Sequence, residues 1–408
     1  MSARYYQAGS RQTLLQGLVA VVAAGATYAW SMSITPPPAL RELKSSEAML
    51  VRALLDIGDS KFTSAFDHIN NVLAVNPNFR LAQLVKGDLL LARTRAINSI
   101  GNPSGGSVEQ VAGLRDEARA RLMRSQFERS ADLVPRYLLQ LPQYEKFALV
   151  LDSTKSTLFV FENTGTGASY VADYYVSIGK NGLEKLREGD KRTPIGVYNV
   201  VSQLPKERLS DFYGTGAYPL SYPNEWDRIR GRDGHGIWLH GTPRDTYSRP
   251  PRASDGCIVL NNEDLEKLSA KLQIGSTPVI IADSIEWVKP DEVATLRADL
   301  AVAIESWRHD WESRNTDSYL RHYSKQFNSN GLNFSQWAAQ KRQVNAAKGW
   351  IKVQVSDMSL LLYPGKQQMA VATFAQDYAS SNLSNRMLKR QYWIREDNTW
   401  RILLEGAG

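Results

Sequence analysis

Cysteine is nearly absent from this chain of 408 residues, which contains only Cys257. A single thiol excludes a disulfide within the chain and a zinc site built from several cysteines. The sequence also lacks histidines and carboxylates at metal-ligand spacing, and no glycine-rich phosphate turn follows a strand. We therefore expect no metal and no nucleotide cofactor. Because a lone cysteine is most often a small buried apolar residue, Cys257 needs support from its neighbours before it is assigned chemistry.

Positive charge is in excess but is not concentrated. The formal net charge is +7, and the lysines and arginines are spread along the chain. An excess of basic residues is compatible with an anionic polymer or membrane as partner, but an ordinary solvated surface is the simpler interpretation. No nucleic-acid-binding motif accompanies the charge, so nucleic acid is not an expected partner.

Long apolar runs are missing except near the N-terminus. Arg4 and Arg11 precede an uncharged apolar stretch over 14–32, and three prolines follow at 36–38. This pattern predicts that residues 1–35 are a signal peptide or an uncleaved membrane anchor. Either form places the rest of the chain in the periplasm or another extracytoplasmic space, anchored to the inner membrane if the segment is not cleaved.

The remainder changes periodicity twice, which predicts three folded domains. Residues 40–135 repeat apolar positions every three or four residues, with breaks at Gly58-Asp59 and Asn76-Pro77. This pattern resembles one tetratricopeptide-like helical hairpin. A single hairpin cannot bury its apolar face alone, so we expect a neighbouring helix or a second copy, which would make a homodimer.

Residues 145–284 have the short apolar runs of a mainly-β domain. Residues 290–408 begin with helices and continue as strands, a pattern that resembles the α+β cone of the SnoaL and nuclear-transport-factor families. The predicted fold is therefore multidomain: an α-helical N-terminal part, a central mainly-β domain and a C-terminal α+β cone. The cone shows no obvious acid/base set, so we interpret it as accessory.

Two short segments carry the chemistry. A predicted strand ends at His240, and a loop rich in proline and arginine leads to the turn Ser254–Cys257. A cysteine is nucleophilic as its thiolate, and a nearby imidazole can accept the thiol proton. Gly256 permits a tight turn and leaves room for substrate. Backbone amides at this turn can stabilise an oxyanion, and Ser254 can orient an amide or donate its hydroxyl. These are the components of acyl transfer through a thioester.

At these residues the sequence resembles the L,D-transpeptidases of the YkuD type. Their pattern is His-Gly, about a dozen residues, then Ser/Thr-His-Gly-Cys. A second family segment lies upstream at 189–198, which reads Gly-Asp-Lys-Arg-Thr-Pro-Ile-Gly-Val-Tyr. The resemblance covers about 140 residues and implies an L,D-transpeptidase sandwich.

The resemblance implies Cys257 as nucleophile, His240 as general base, and the amides of Gly256 and Cys257 as the oxyanion hole. The implied substrate is a peptidoglycan tetrapeptide stem, cleaved between the L-centre of its diamino acid and the terminal D-alanine. The acyl group would then pass to water, to another stem or to a cell-wall protein.

Asp255 departs from the family pattern because it replaces the second histidine. A carboxylate beside the nucleophile disfavours the thiolate unless a cation compensates for it. Nearby loop arginines are candidates for that compensation and for binding stem carboxylates: Arg244, Arg249 and Arg252. We also assign His235, Trp238 and Asp255 as candidate substrate-binding residues. Val259, where many members have Arg or Asn, leaves the acceptor open as well.

The three-domain organisation resembles a branch that includes cell-shape-determining L,D-carboxypeptidases. The leading hypothesis is an L,D-transpeptidase active in cell-wall remodelling and cell shape. Its close alternative is an L,D-carboxypeptidase that trims tetrapeptide to tripeptide, with water as acceptor. A non-catalytic wall-binding scaffold is the rival from another class, although loss of the histidine or cysteine would have been needed to favour it.

Overall fold

Helices form the N-terminal part of the computed structural model, which describes residues 45–408 except 98, 103–106, 128–129, 131 and 330. The predicted signal or anchor segment lies outside the described residues. The helices are α1 (Ser46–Gly58), α2 (Phe62–Val75), α3 (Arg80–Leu91) and α4 (Val108–Ser125). α1 begins where the Ser45 side chain accepts a hydrogen bond from the Ala48 amide. The first two breaks between helices fall at Gly58-Asp59 and Asn76-Pro77, as predicted.

The four helices share one apolar core. It includes Leu50 of α1, Ile69 of α2, Val85 of α3 and Ala118 of α4, all of which are buried. Tyr247 packs against the same core from the loop Thr242–Pro251. The apolar face of the α1–α2 hairpin is therefore covered within the chain, and the homodimer stays a prediction.

The chain divides into two compact units. One unit holds the N-terminal helices and Thr242–Pro251, and the other holds the chain on either side of that loop, through Gly241 and from Arg252 onwards. No helix in the described part of the chain is both long enough and apolar enough to cross a membrane.

Short strands make up the central domain of the second unit. In chain order they are β1 (Val134–Pro135), β2 (Leu138–Gln140), β3 (Phe147–Asp152), β4 (Thr157–Asn163), β5 (Ala168–Tyr175), β6 (Ile178–Gly179), β7 (Gly196–Asn199), β8 (Ala217–Pro219), β9 (Trp238–His240), β10 (Arg252–Ser254), β11 (Ile258–Val259), β12 (Pro278–Ala282) and β13 (Trp287–Val288). Two short helices accompany them, α5 (Glu225–Ile229) and α6 (Asn262–Ser269). A five-stranded sheet has the order β5-β4-β3-β12-β7, and a three-stranded sheet has the order β11-β9-β8.

One apolar core joins these two sheets. Leu149 and Val160 come from the larger sheet, and Leu239 and Ile258 from the smaller one. All four are buried. Packed apolar side chains therefore hold β9, which ends at His240, and β11, which follows Cys257.

The C-terminal domain begins with helices and ends in a large antiparallel sheet. Its helices are α7 (Pro290–Glu312), α8 (Thr316–Leu320) and α9 (Phe334–Ala346). Its strands are β14 (Asn328–Ser329), β15 (Leu332–Asn333), β16 (Ile351–Tyr363), β17 (Met369–Ser380), β18 (Leu383–Glu396) and β19 (Thr399–Ala407). Pro290 occupies the first turn of α7, where its missing amide hydrogen costs nothing. The three-part fold class is thus confirmed.

Two elements of the C-terminal sheet region differ from the expectation. The strand β2 precedes the predicted catalytic domain, yet it pairs with β16 as the edge of the C-terminal sheet. Three residues are too few to show a strand period. The helix α9 was not predicted because Trp337 and Ala338 are its only buried apolar residues.

Candidate active site

His240 lies at the end of β9, where the chain leaves the smaller sheet. Its side chain is buried, and Nδ1 lies 2.7 Å from the Gly241 carbonyl oxygen. A carbonyl oxygen can only accept, so the hydrogen of the neutral ring is on Nδ1. Nε2 then keeps its lone pair, which is the tautomer that a general base requires.

Cys257 enters the same sheet from the neighbouring strand. The strands β9 and β11 are parallel, with Val259 opposite His240 and Ile258 opposite Leu239. The half-buried Cys257 immediately precedes this pair, and its Sγ donates to the Gly236 carbonyl oxygen at 3.2 Å. The register therefore places the two residues that follow Cys257 on the strand beside β9, which ends at His240.

The turn before Cys257 is built by Ser254 and Gly256. Ser254 Oγ accepts from the Gly256 amide at 3.1 Å and donates to the Cys257 carbonyl oxygen at 2.6 Å. Gly256 has φ +128°, and a Cβ there would lie 2.8 Å from the Arg192 carbonyl oxygen. Only glycine fits both conditions. Because Ser254 holds the Gly256 amide, that amide reaches an oxyanion only if this bond is released.

The upstream motif at 189–198 is hydrogen-bonded to this turn through Thr193. Thr193 is buried; its hydroxyl accepts from the Gly179 amide at 3.0 Å and donates to the Gly256 carbonyl oxygen at 2.9 Å. Thr193, which lies 63 positions before Gly256, thereby fixes the backbone of the turn that precedes Cys257.

Asp190 organises the start of that motif. Its carboxylate accepts from the amides of Leu186, Arg187 and Arg192 at 2.7, 3.1 and 3.0 Å. It also pairs with Lys185 Nζ at 2.9 Å. Burial acts to raise the pKa of Asp190, but the backbone and lysine hydrogen bonds outweigh it and lower the pKa to about 2. The three backbone amides and the Lys185 ammonium thus stabilise the charged form of this carboxylate.

Asp255 pairs with a lysine that was not predicted. Lys180 Nζ lies 3.2 Å from Asp255 Oδ1, and the two side chains are 50% and 66% exposed. The Lys180 amide also donates to the Ser254 carbonyl oxygen at 2.8 Å. The cation that faces Asp255 is therefore Lys180, whereas an arginine of the preceding loop was expected. The parallel pairing of β6 with β10 brings these distant positions together.

Three other predicted substrate-binding residues lie on different segments of the chain. Arg252 is exposed on β10, with its guanidinium 4.0 Å from where a Cβ on Gly182 would lie. His235 is exposed, with Nδ1 3.6 Å from Glu188 Oε1. Arg244 belongs to the helical unit through the loop Thr242–Pro251, and its carbonyl oxygen accepts from Asn78 Nδ2 at 3.5 Å. The roles of these three residues stay predictions.

An aromatic cluster surrounds His240. The Tyr213 ring lies 5.2 Å from the imidazole and 4.9 Å from the Trp238 ring, while Phe212 lies 5.8 Å from the imidazole. The Gly241 amide donates to the Tyr213 carbonyl oxygen at 3.0 Å. Trp238 was a predicted site residue, but Phe212 and Tyr213 were missed. The Phe-Tyr pair lies in a 3₁₀ turn (Asp211–Tyr213), whose sequence has no periodic signal.

Within the described residues, no group of histidine, cysteine and carboxylate side chains is arranged to hold a metal ion. The site thus combines a thiol, an imidazole whose Nδ1 faces a carbonyl oxygen, and a constrained turn. Such a set is suited to nucleophilic acyl transfer, in which Sγ attacks a carbonyl carbon and Nε2 takes the thiol proton.

Comparison with known proteins gives two family matches. Residues 146–281 match the L,D-transpeptidase catalytic domain, and residues 299–406 match the Cds6 C-terminal NTF2-like domain. Comparison with curated protein sequences gives no match.

Solved structures match the chain over nearly their whole length. Bd1075 from Bdellovibrio bacteriovorus is 28% identical with a TM-score of 0.59, and the match covers 68% of this chain and 98% of Bd1075. The helical cell shape determining protein Pgp2 from Campylobacter jejuni is 26% identical with a TM-score of 0.57. Its match covers 70% of this chain and 99% of Pgp2. The three-domain resemblance inferred from the sequence is thereby confirmed.

Proposed function

Since residues 146–281 form an L,D-transpeptidase catalytic domain and residues 299–406 a C-terminal NTF2-like domain, we propose that this chain is an exported cysteine acyltransferase acting on peptidoglycan tetrapeptide stems. The observation that supports the proposal is the parallel pairing of β9 with β11, in which Val259, two residues after Cys257, lies opposite His240. The aromatic rings pack beside the imidazole, and the Ser254 hydrogen bonds fix the backbone at Cys257.

The first half-reaction forms a thioester. His240 Nε2 takes the thiol proton, and Cys257 Sγ attacks the carbonyl carbon on the L-centre of the diamino acid. The C–N bond to the terminal D-alanine breaks, and the leaving nitrogen takes the proton from His240. Negative charge on the carbonyl oxygen is stabilised by the Cys257 amide, and by the Gly256 amide once its hydrogen bond to Ser254 Oγ is released.

The second half-reaction transfers the acyl group. An amine from another stem attacks the thioester carbon and gives a proton to His240 Nε2. The C–S bond breaks, Cys257 Sγ takes that proton, and a new amide cross-links the stems. A cell-wall protein amine would be attached by the same route. With water as acceptor the product is instead a tripeptide stem. The likeness to a helical cell shape determining protein supports a role in cell shape. This L,D-carboxypeptidase reaction is the second candidate.

The site of action proposed is extracytoplasmic. The basic leader and apolar stretch of residues 1–35 support export or anchoring at the inner membrane. Fractionation of cells that carry the tagged protein tests this point. Recovery in the cytosolic fraction alone would contradict it.

The reaction is tested by incubating the protein with defined tetrapeptide muropeptides and analysing the products by mass spectrometry. Tripeptide together with free D-alanine identifies the carboxypeptidase. Stems joined through two diamino-acid residues, or exchanged for another D-amino acid, identify the transpeptidase. A thioester adduct of the acyl stem on Cys257 is expected in either case.

The matched control is Cys257→Ala, which removes the nucleophile and leaves the turn in place. We expect no turnover and no adduct from this variant. If the unsubstituted protein also leaves the stems intact, under conditions in which an active L,D-transpeptidase consumes them, the proposed activity is wrong and the scaffold interpretation gains.

A further inference from the structure

The loop Thr242–Pro251 links the two predicted catalytic residues along the chain. It begins two residues after His240 and ends immediately before β10, which leads to the Cys257 turn. Yet the loop belongs to the unit formed by the N-terminal helices. The segment that connects the two predicted catalytic residues therefore packs with the N-terminal helices.

The loop is fixed to the helices by a buried ion pair. Arg121 and Glu117 on α4 have side chains that are 0% and 1% exposed, and their charged atoms lie 2.9 Å apart. Ser248 of the loop completes this pair: its Oγ accepts from Arg121 at 2.5 Å and donates to Glu117 Oε1 at 2.8 Å. Burial of two charges is costly unless their remaining hydrogen-bonding capacity is satisfied. The loop serine supplies part of that capacity.

Apolar and backbone contacts surround this polar anchor. The Tyr247 ring packs on the buried Phe79 ring at a centroid distance of 4.4 Å. On α4, a Cβ at Gly113 would lie 3.0 Å from Pro250, so the helix approaches the loop closely. These contacts span the loop from its centre to its end, and they define one docked conformation.

The loop has the composition of a recognition element. It carries Arg244 and Arg249, the cations predicted to bind stem carboxylates, between Pro243 and Pro250. Prolines restrict the conformations of a free loop, and docking on the helices restricts them further. Both effects reduce the ordering cost of binding an anionic substrate.

We propose that the N-terminal helices belong to the catalytic apparatus: they hold the loop Thr242–Pro251 in its substrate-binding conformation. Glu117, Arg121 and Ser248 are the positioning residues in this arrangement. The inference rests on the proposed function for its substrate, the peptidoglycan stem. It assigns to the helices a task beyond binding partners. It predicts that loosening their contacts with the loop raises the KM for the stem.

The test substitutes the loop side of the contacts, where folding is least at risk. Ser248→Ala removes the hydroxyl, Tyr247→Ala removes the ring, and Ser248→Asp places a carboxylate beside Glu117. Ser64→Ala is the matched control, because Ser64 also donates to a carboxylate, that of Asp56 at 2.6 Å, but on an exposed surface outside the loop contacts. Thermal unfolding confirms that each variant is folded.

Three readouts are compared. Hydrogen exchange over 242–251 reports whether the loop is docked, steady-state turnover of the tetrapeptide stem gives kcat and KM separately, and iodoacetamide labelling reports the reactivity of Cys257. We expect faster exchange in the loop and a rise in KM of about tenfold for the loop variants. We expect kcat and the labelling rate to stay within about twofold, and Ser64→Ala to match the unsubstituted protein in every readout.

A merely structural role for the contacts predicts a different pattern. Faster exchange in the loop with unchanged KM would overturn the inference and leave the proposed function intact. Exchange unaffected by all three loop variants would also overturn it, because the named contacts would then not hold the loop. If the unsubstituted protein turns over no stem, the proposed function fails first and the inference fails with it.

Discussion

The Thr193 hydroxyl donates a 2.9 Å hydrogen bond to the carbonyl oxygen of Gly256, the residue before the proposed nucleophile Cys257. Both residues are buried, and the same hydroxyl accepts from the Gly179 amide. One side chain thus connects the upstream Thr-Pro motif, the β6 segment and the catalytic turn. This geometry gives a physical reason for a threonine at that position of the motif.

Thr193→Val tests this connection with almost no change in side-chain volume. We expect a loss of about 2 kcal/mol in the free energy of unfolding, because two buried backbone groups lose their partner. We also expect kcat for D-alanine release to fall by at least about tenfold at a temperature where the variant is folded. Thr295→Val, which removes an exposed hydroxyl that donates to the Asp291 carbonyl oxygen, is the control. Equal kcat for both variants would contradict the positioning role.

Gly256→Ala addresses the steric demand of the turn. Its Cβ would lie 2.8 Å from the Arg192 carbonyl oxygen, at a backbone φ of +128°. Gly275→Ala is a matched control, because Gly275 also has a positive φ of +83° but no atom within 4 Å of the added Cβ. Backbone strain alone costs about 1 kcal/mol. We expect Gly275→Ala to lose about that much stability with normal turnover, and Gly256→Ala to lose more and to release no D-alanine.

His240 and Cys257 could be singled out from the sequence as a candidate pair because each residue ends a recognisable segment. His240 closes an apolar strand, and Cys257 follows a small-residue turn. The role of Thr193 could not, because it depends on a contact with a residue 63 positions away. Nor could the Asp255 partner: a loop arginine was expected, but the β6–β10 pairing supplies Lys180. Long-range register, rather than local composition, decides which side chains meet.

The same limit applies to the fold. The strand β17 and the alternating first part of β16 could be predicted, whereas the three residues of β2 carried no pattern and joined the C-terminal sheet by long-range pairing. The aromatic cluster at His240 was missed for a related reason. Phe212 and Tyr213 lie in a short 3₁₀ turn that follows no periodic pattern, and tertiary packing alone places them beside the imidazole.

The Lys180–Asp255 pair predicts an electrostatic effect on the thiol. In Lys180→Met the Asp255 carboxylate keeps its charge without the facing ammonium, so ionisation of Cys257 becomes less favourable. We expect iodoacetamide to label this variant about threefold more slowly at pH 7 and low salt. The double variant Lys180→Met/Asp255→Asn should return to near the original rate, since both charges are gone.

Because both side chains are exposed, the effect should shrink at 1 M salt, where charges are screened within about 3 Å. Lys267→Met is the control, because Lys267 lies 3.4 Å from Asp264 on α6, in another exposed pair. Labelling that slows equally in both single variants would point to the overall charge of the protein, not to this pair.

Asp190 predicts how the catalytic domain responds to acid. Its pKa in the folded protein is about 2, below the ordinary value of 3.8, and burial alone would have moved it the other way. A lowered carboxyl pKa means that the group stabilises the folded state above its ordinary pKa, and that this contribution is lost as the pH falls towards 2. Asp190→Asn should therefore be less stable by about 2 kcal/mol at pH 7. The difference should narrow below pH 4 and be nearly gone at pH 2. Urea unfolding followed by tryptophan fluorescence across this range measures it, and a gap between the two proteins that persists at pH 2 would show that the lost stability comes from packing rather than from the carboxylate charge.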